Sequence, residues 1–339
     1  MMRIIDKNFY FIYLLLSCTV ILLFILTIKI SQLDRDIIHS KSYWQSSFFQ
    51  KEKELLNLID TYSTSLKSLH QNQYFYEYII DNKYDKLIKN IFLDTKKSLP
   101  HLFQVRYINK NGYEKIRVEG NTISLYKDEA KSEITPINKL QNKANKKYFN
   151  QFMKLAPGEI GYSIINLNKD HGVVTLPKEP TLRIGMAMYA NTEKPQGVLV
   201  YNVSLRYFFL NLGQFTQYKF MLTDKMGNFL VHYDKKYGLL GDHSYYTLQD
   251  EFPQEYRKIL DKDKYETDII YSRTIRDLTN TQDIKMILTF YTIKENNLFD
   301  WLKKDLILAI SLCSFLLLPF IQYVVFCQKK EKIENNNDC

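Results

Sequence analysis

The parts of this sequence that could do chemistry are six histidines, one acidic-His-Ser run and a pair of cation-bearing strands. The histidines are His39, His70, His101, His171, His232 and His243. None forms an H-x-x-x-H or H-E-x-x-H pair, the spacing that aims two ring nitrogens at one metal ion from one helix face. Asp242-His243-Ser244 holds the residue types of a hydrolytic triad. Sequence neighbours cannot reach triad geometry, however, and no glycine cluster offers a nucleotide cradle. The expectation is therefore a protein that is not an enzyme, with no cofactor and no metal. What remains is the stretch 103–119. Asn109-Lys110-Asn111-Gly112 reads as a hairpin turn, with Asn-Gly supplying positive φ. With period-2 alternation, Phe103, Val105, Tyr107, Ile116 and Val118 share one face. Gln104, Arg106, Ile108, Lys115, Arg117 and Glu119 share the other. Like charges opposed across strands repel unless an anion, a partner or solvent relieves them. Two readings stay open: Arg106 and Arg117 wait for an anion, or they are solvated or paired with Glu119.

The elements that must position this hairpin follow from the change of period. Residues 31 to about 90 read as helix, with no Gly or Pro before Pro100. Ile37, Trp44 and Leu58 share one heptad position; Phe48, Leu55, Tyr62 and Leu69 share another. Lys41, Lys51 and Ser65 interrupt the pattern. Such a stripe fits a dimer seam or the buried face of a helix lying on its own domain. Strands are predicted at 160–167, 182–190 and 197–203, divided by loops that carry Pro157, Pro177, Pro180 and Pro195. Residues 204–217 read as a short joining helix. A second hairpin follows, 220–223 and 229–233 around Asp224-Lys225-Met226-Gly227-Asn228, then strands at 266–276 and 284–293. The strand, Gly-bearing turn and strand thus occur twice, a repeat of supersecondary structure and not of sequence.

Two apolar runs bracket this region. Residues 9–30 and 305–327 each reach the roughly 20 residues that a helix needs to cross a bilayer. The first is too long for a signal-peptide core, and no small-x-small cleavage site follows it. Arg3 and Lys7 in the 1–8 tail, with Lys329, Lys330 and Lys332 in the 328–339 tail, favour cytoplasmic ends. All four cysteines, Cys18, Cys313, Cys327 and Cys339, lie in or beyond the runs, so the central region needs no disulfide. The residues outside 29–304 hold equal numbers of acidic and basic side chains, so the whole formal charge of +9 belongs to the centre. Drift toward Lys, Asn, Ile, Tyr and Phe accounts for much of that charge. A central region outside the membrane excludes nucleic acid as a partner.

The stretches "LHQNQYFYEYIIDNKYDKLIKNIFLDTKKSLPHLFQVRYINKNGYEKIRV", "YFNQFMKLAPGEIGYSIINLNKDHG", "LPKEPTLRIGMAMY" and "FMLTDKMGNFLVHYDKKYG", in this order and spacing, resemble the double Cache (tandem PAS-like) extracytoplasmic domains of bacterial sensor kinases, diguanylate cyclases and chemoreceptors. The resemblance implies an α+β fold. A long signalling helix (31–80) leads to a membrane-distal Cache module (81–205) and a membrane-proximal one (206–304), both built on antiparallel sheets and flanked by the two transmembrane helices. It also implies a sheet with one face on the long helix and the other roofing a ligand pocket. Arg106 and Arg117 are then ligand-binding candidates for a small anion, with Arg183, Tyr162 and Tyr189 as further candidates. His232 falls where such domains also carry His, and strand packing is its expected role. The expected function is small-ligand sensing at a two-pass inner-membrane protein, whose partners are the ligand, lipid, a second copy as homodimer, and a separate signalling protein. About a dozen residues follow the second run, which leaves output to another polypeptide. Two rivals are a structural regulator of surface polysaccharide chain length, which has two spans around an α/β domain with long coiled coils, and the remnant of a truncated sensor kinase or cyclase.

Alkaline phosphatase fused after residue 150 is expected to be active, and fused after residue 339 inactive. Activity in the second fusion alone would overturn the cytoplasmic placement of the tails.

Overall fold

The computed structural model describes residues 45–120, 132–212, 218–243, 245–267, 269–275 and 284–290, with a few single residues in the terminal segments. Residues 47–290 form one compact unit. No helix among the described residues is long and apolar enough to cross a membrane. The runs at 9–30 and 305–327 fall almost wholly outside the described residues, as do Ile37 and Trp44.

Helix α1 runs through 45–70, α2 is Gln73–Asp81 and α3 is Asp85–Ser98. The continuous helix expected to about 90 is therefore broken twice, without Gly or Pro. At the first break the Asn72 side chain accepts from the Phe75 N–H at 3.2 Å, so it caps α2. At the second, Asn82 and Tyr84 take φ of 54° and 61°, the left-handed conformation that stops a helix. Phe48, Leu55, Tyr62 and Leu69 are buried in the chain's own core, with Ile59 and Leu66 beside them.

The chain then builds two antiparallel sheets. The first is seven-stranded. Its main path β3-β2-β1-β9-β8-β4 uses β3 (Ser132–Ile134), β2 (Glu114–Gly120), β1 (Leu102–Asn109), β9 (Gly197–Ser204), β8 (Pro180–Met188) and β4 (Gly161–Tyr162), and β5 (Asn166–Leu167) pairs with β8 off that path. The strand expected over 160–167 is thus two short ones. A separate two-residue hairpin joins β6 (Lys169–Asp170) to β7 (Val173–Val174). After α5 (Arg206–Leu212) comes a five-stranded sheet of β10 (Tyr218–Asp224), β11 (Phe229–Val231), β12 (Lys264–Glu266), β13 (Ile270–Ile275) and β14 (Ile284–Phe290), in the order β11-β10-β14-β13-β12. Two short helices not expected from sequence, Leu248–Glu251 and Tyr256–Asp261, cover it. Their Leu248 and Ile259 close a core with Met221, Phe229, Ile270 and Ile287.

Helix α1 touches both sheets. Phe48 meets the rings of Phe220 and Tyr271 on the second sheet. Further along, Tyr62 Oη accepts from the His101 N–H, Ser63 Oγ lies 3.0 Å from Tyr162 Oη, and His70 Nε2 lies 3.0 Å from the Ala187 carbonyl, all at the first sheet. One helix face therefore seals one side of the first sheet. The opposite side is covered by α4 (Lys147–Phe152). Phe149 and Phe152 of α4 pack on Ile108, Val198 and Val200. Gly185 makes room for this: a Cβ there would fall 2.2 Å from the Phe152 ring.

Candidate functional site: a cationic cavity over the first sheet

The register of the first sheet decides which side chains meet beneath α4. One cross-strand row runs Glu119, Gln104, Asn202, Arg183 over β2, β1, β9 and β8; the next runs Arg117, Arg106, Val200, Gly185. Three arginines thus rise from one face of the sheet, and all three are buried. They line one cavity of about 410 Å³, with Lys143, Tyr148 of α4 and Asp170 of β6 among its other walls. That volume lies within the usual range of small-ligand pockets.

The hairpin parity holds at Arg106 and Arg117, which are direct cross-strand partners. It fails at Lys115. Tyr107 pairs with Ile116, but Ile108 pairs with Glu114, so Lys115 is the extra residue of a β-bulge. The bulge turns Lys115 out to solvent and Glu114 in. The Glu114 carboxylate is fully buried, 3.4 Å from Arg106 Nη1, 3.8 Å from Arg117 Nη1 and 3.9 Å from Lys143 Nζ. It also accepts from the Gln141 N–H at 3.0 Å. Glu119 takes Arg117 at 2.5 Å and a hydrogen bond from Thr135 Oγ1. The expected pairing with Glu119 is therefore present, and a buried carboxylate joins it.

Arg106 donates to Asn202 Oδ1 at 2.5 Å and to Tyr148 Oη at 3.2 Å, while its buried Nε has no hydrogen-bond partner among the described residues. Asn202 in turn donates to Gln104, and Gln104 to Glu119. Arg183 donates to the neutral Asn166 Oδ1 at 2.8 Å. Among the described residues no carboxylate lies within ion-pair distance of it. Its charge and that of Arg106 both stand over the Tyr148 ring, 5.2 and 5.5 Å from the centroid. Burial first, and Arg106 next, push Arg183 down to about 10. Burial, then Arg106, push Lys143 down to about 8 against the pull of Glu114. Asp170 is exposed to the same burial, but the Gln141 hydrogen bond and the Arg117 charge outweigh it and hold its carboxyl below the ordinary range.

Two of the sequence candidates lie elsewhere. Tyr162 pairs with Ile184, one residue along from Arg183, so its side chain leaves the opposite sheet face and its hydroxyl meets Ser63 of α1. Tyr189 lies past the end of β8, about 20 Å along the strand from Arg183, where its hydroxyl donates to the Leu155 carbonyl. Sequence reasoning missed Lys143, Tyr148 and Asn202. Asn202 left a signal, a polar residue on the same alternate face as Val198 and Val200. Lys143 and Tyr148 sit beyond a loop and left none. His232 is buried between Phe229, Tyr233, Tyr237 and Tyr246, with Glu251 at 3.4 Å, a packing role in the second sheet. Among the described residues no three His, Cys, Asp or Glu side chains converge as a metal site.

The family profile described as bacterial histidine kinase, sensor domain, matches residues 38–286. The chain belongs to that family. Among solved structures it is similar to the extracellular domain of vpHK1S-Z8, assigned as a histidine kinase, at 20% identity and a TM-score of 0.60, covering 73% of this chain and 90% of that one. It is similar as well to a domain of a sensory box/GGDEF family protein from Vibrio parahaemolyticus, at 20% identity and a TM-score of 0.61, covering 73% and 95%. No curated protein matches the sequence. The fold is thus that of bacterial extracytoplasmic sensor domains, as the sequence resemblance implied.

Lys143 gives the cavity a pH signature. Its folded pKa is depressed, so the folded state resists the proton. That cost is complete below pH 8 and is relieved as pH rises toward the ordinary lysine value near 10.4. Urea unfolding of the wild type is expected to gain stability between pH 8 and 10 relative to Lys143→Met. Parallel curves for the two proteins would show that Lys143 keeps an ordinary pKa.

Proposed function

We propose that this protein is the input module of a bacterial sensor, and that the cavity beneath α4 binds a small anion. The observation that carries the reading is the convergence of Arg106, Arg117 and Arg183 on one cavity, with Arg183, among the described residues, buried against neutral partners only. A buried cation without a counter-charge is costly in the free protein. An anion that supplies the charge is stabilised by buried, charge-assisted donors. In this reading the two apolar runs are membrane spans, and the cavity lies on the extracytoplasmic side of the inner membrane. Helix α1, in contact with both sheets, offers a rigid route from the cavity toward the membrane. In this reading the ligand acts by population shift, favouring one arrangement of the first sheet and its helices. A homodimer and a separate signalling partner receive the change, and the protein performs no chemical step itself.

The test is the melting temperature of the intact chain, purified in detergent, with and without a panel of carboxylates and phosphates. An anion at a hundredfold excess over its dissociation constant stabilises the wild type by about 2.7 kcal/mol. Arg106→Gln and Arg183→Gln are each expected to remove most of that shift. Arg183→Gln alone is expected to leave the unliganded protein as stable as wild type, or more so. An anion that shifts wild type and both variants equally would show that these arginines are not its site.

A further inference from the structure

We infer that the cavity selects small organic anions with two or more negative charges and rejects zwitterions such as free amino acids. The inference rests on the reading of this cavity as the ligand site and adds the class of ligand. Seven cationic side chains line it: Arg106, Arg117, Lys143, Lys146, Lys147, Lys169 and Arg183. Asp170 is the one lining carboxylate. Behind the lining, Glu114 and Glu119 touch Arg106, Arg117 and Lys143. Among the described residues, these three carboxylates leave a surplus of four positive charges, three of them on the exposed lysines Lys146, Lys147 and Lys169 and one among the buried cations. One carboxylate or halide would neutralise a quarter of that surplus.

The surplus is also divided in space. Arg183 stands on β8 and Arg106 on β1, with β9 between them. Their backbones are separated by about 10 Å across the sheet, yet both guanidinium groups reach over the Tyr148 ring. Two anionic groups on one small molecule can therefore each find an arginine. The lysines of the α4 approach and Lys169 of the β6–β7 hairpin ring the same space and attract the same charge.

An amino acid meets a different problem. Its ammonium group needs an acceptor with charge to spare. Asp170 already accepts from Gln141 Nε2 at 2.5 Å and lies 3.6 Å from Arg117. Glu119 is taken by Arg117 and Thr135, and Glu114 by Arg106 and the Gln141 N–H. An ammonium would enter among seven like charges with each nearby carboxylate already engaged.

Isothermal titration calorimetry on the intact chain in detergent tests this at pH 7 and low salt. The probes are succinate against butyrate, which differ by one carboxylate; glycerol 3-phosphate and inorganic phosphate, which separate phosphate recognition from dicarboxylate recognition; and L-alanine. At least one dianion is expected to bind about tenfold or more tightly than butyrate, a difference of about 1.4 kcal/mol. That binding should weaken by a similar factor in Arg183→Gln and in Arg106→Gln, and L-alanine should give no heat. Butyrate or L-alanine binding as tightly as every dianion overturns the inference. If such binding disappears in Arg106→Gln, the cavity stands as the ligand site and only the charge class falls. Binding untouched by either substitution, or no binding by any probe, removes both.

Discussion

The cavity is held together by the Glu114 carboxylate, buried among Arg106, Arg117 and Lys143. Arg106 and Arg117 face each other directly across the central hairpin, where like charges repel. Solvent does not relieve them, since both are buried. The relief comes from one bulged residue. By looping out Lys115, the hairpin exchanges a third cation for a carboxylate at the point of closest crowding. The Gln141 N–H then fixes that carboxylate by a hydrogen bond, so the segment entering α4 is tied to the same group. The cavity roof and floor thus share one anchor.

That anchor balances only part of the charge. Arg117 is well supplied, with Glu119 and Asp170 as well as Glu114. Among the described residues, Arg106 keeps an unbonded Nε, and Arg183 has Asn166 and the face of Tyr148 but no carboxylate. A fully satisfied network would be rigid and closed. This one is satisfied on the β2 side and deficient on the β8 side. The opposite sheet face is mostly apolar. There Tyr107, Ile116 and Val118 sit beneath the helices in an apolar layer, with Phe75 edge-on to Tyr107. The sheet therefore separates a cationic face from a face packed on α1, α2 and α3.

Much of this was legible from alternation alone. Period-2 reading put Arg106 and Arg117 on one face and their apolar neighbours on the other, because both strands are regular where these residues lie. It misplaced Lys115, since a bulge shifts parity by one residue and depends on how the Asn109–Gly112 turn closes. Tyr162 pairs with Ile184 and so faces α1 instead of the cavity. The helix breaks at Asn72 and Asn82 were missed because capping by asparagine needs neither Gly nor Pro. Lys143 and Tyr148 reach the cavity only through the tertiary path of a loop, which no periodicity records. The two strand hairpins, by contrast, follow from turn residues and hydrophobic alternation, and the division into two sheet modules is what the family resemblance implies.

The central claim is that Glu114 sustains a buried cationic site. The most direct measurement is urea unfolding of wild type and Glu114→Gln, each with and without saturating inorganic phosphate. Removing one partner of a buried ion pair costs roughly 3–5 kcal/mol. The account predicts a loss of that size without phosphate and partial recovery with it, since the anion supplies the missing charge. A loss below about 0.5 kcal/mol, the level of an ordinary surface substitution, with no dependence on phosphate, would contradict it.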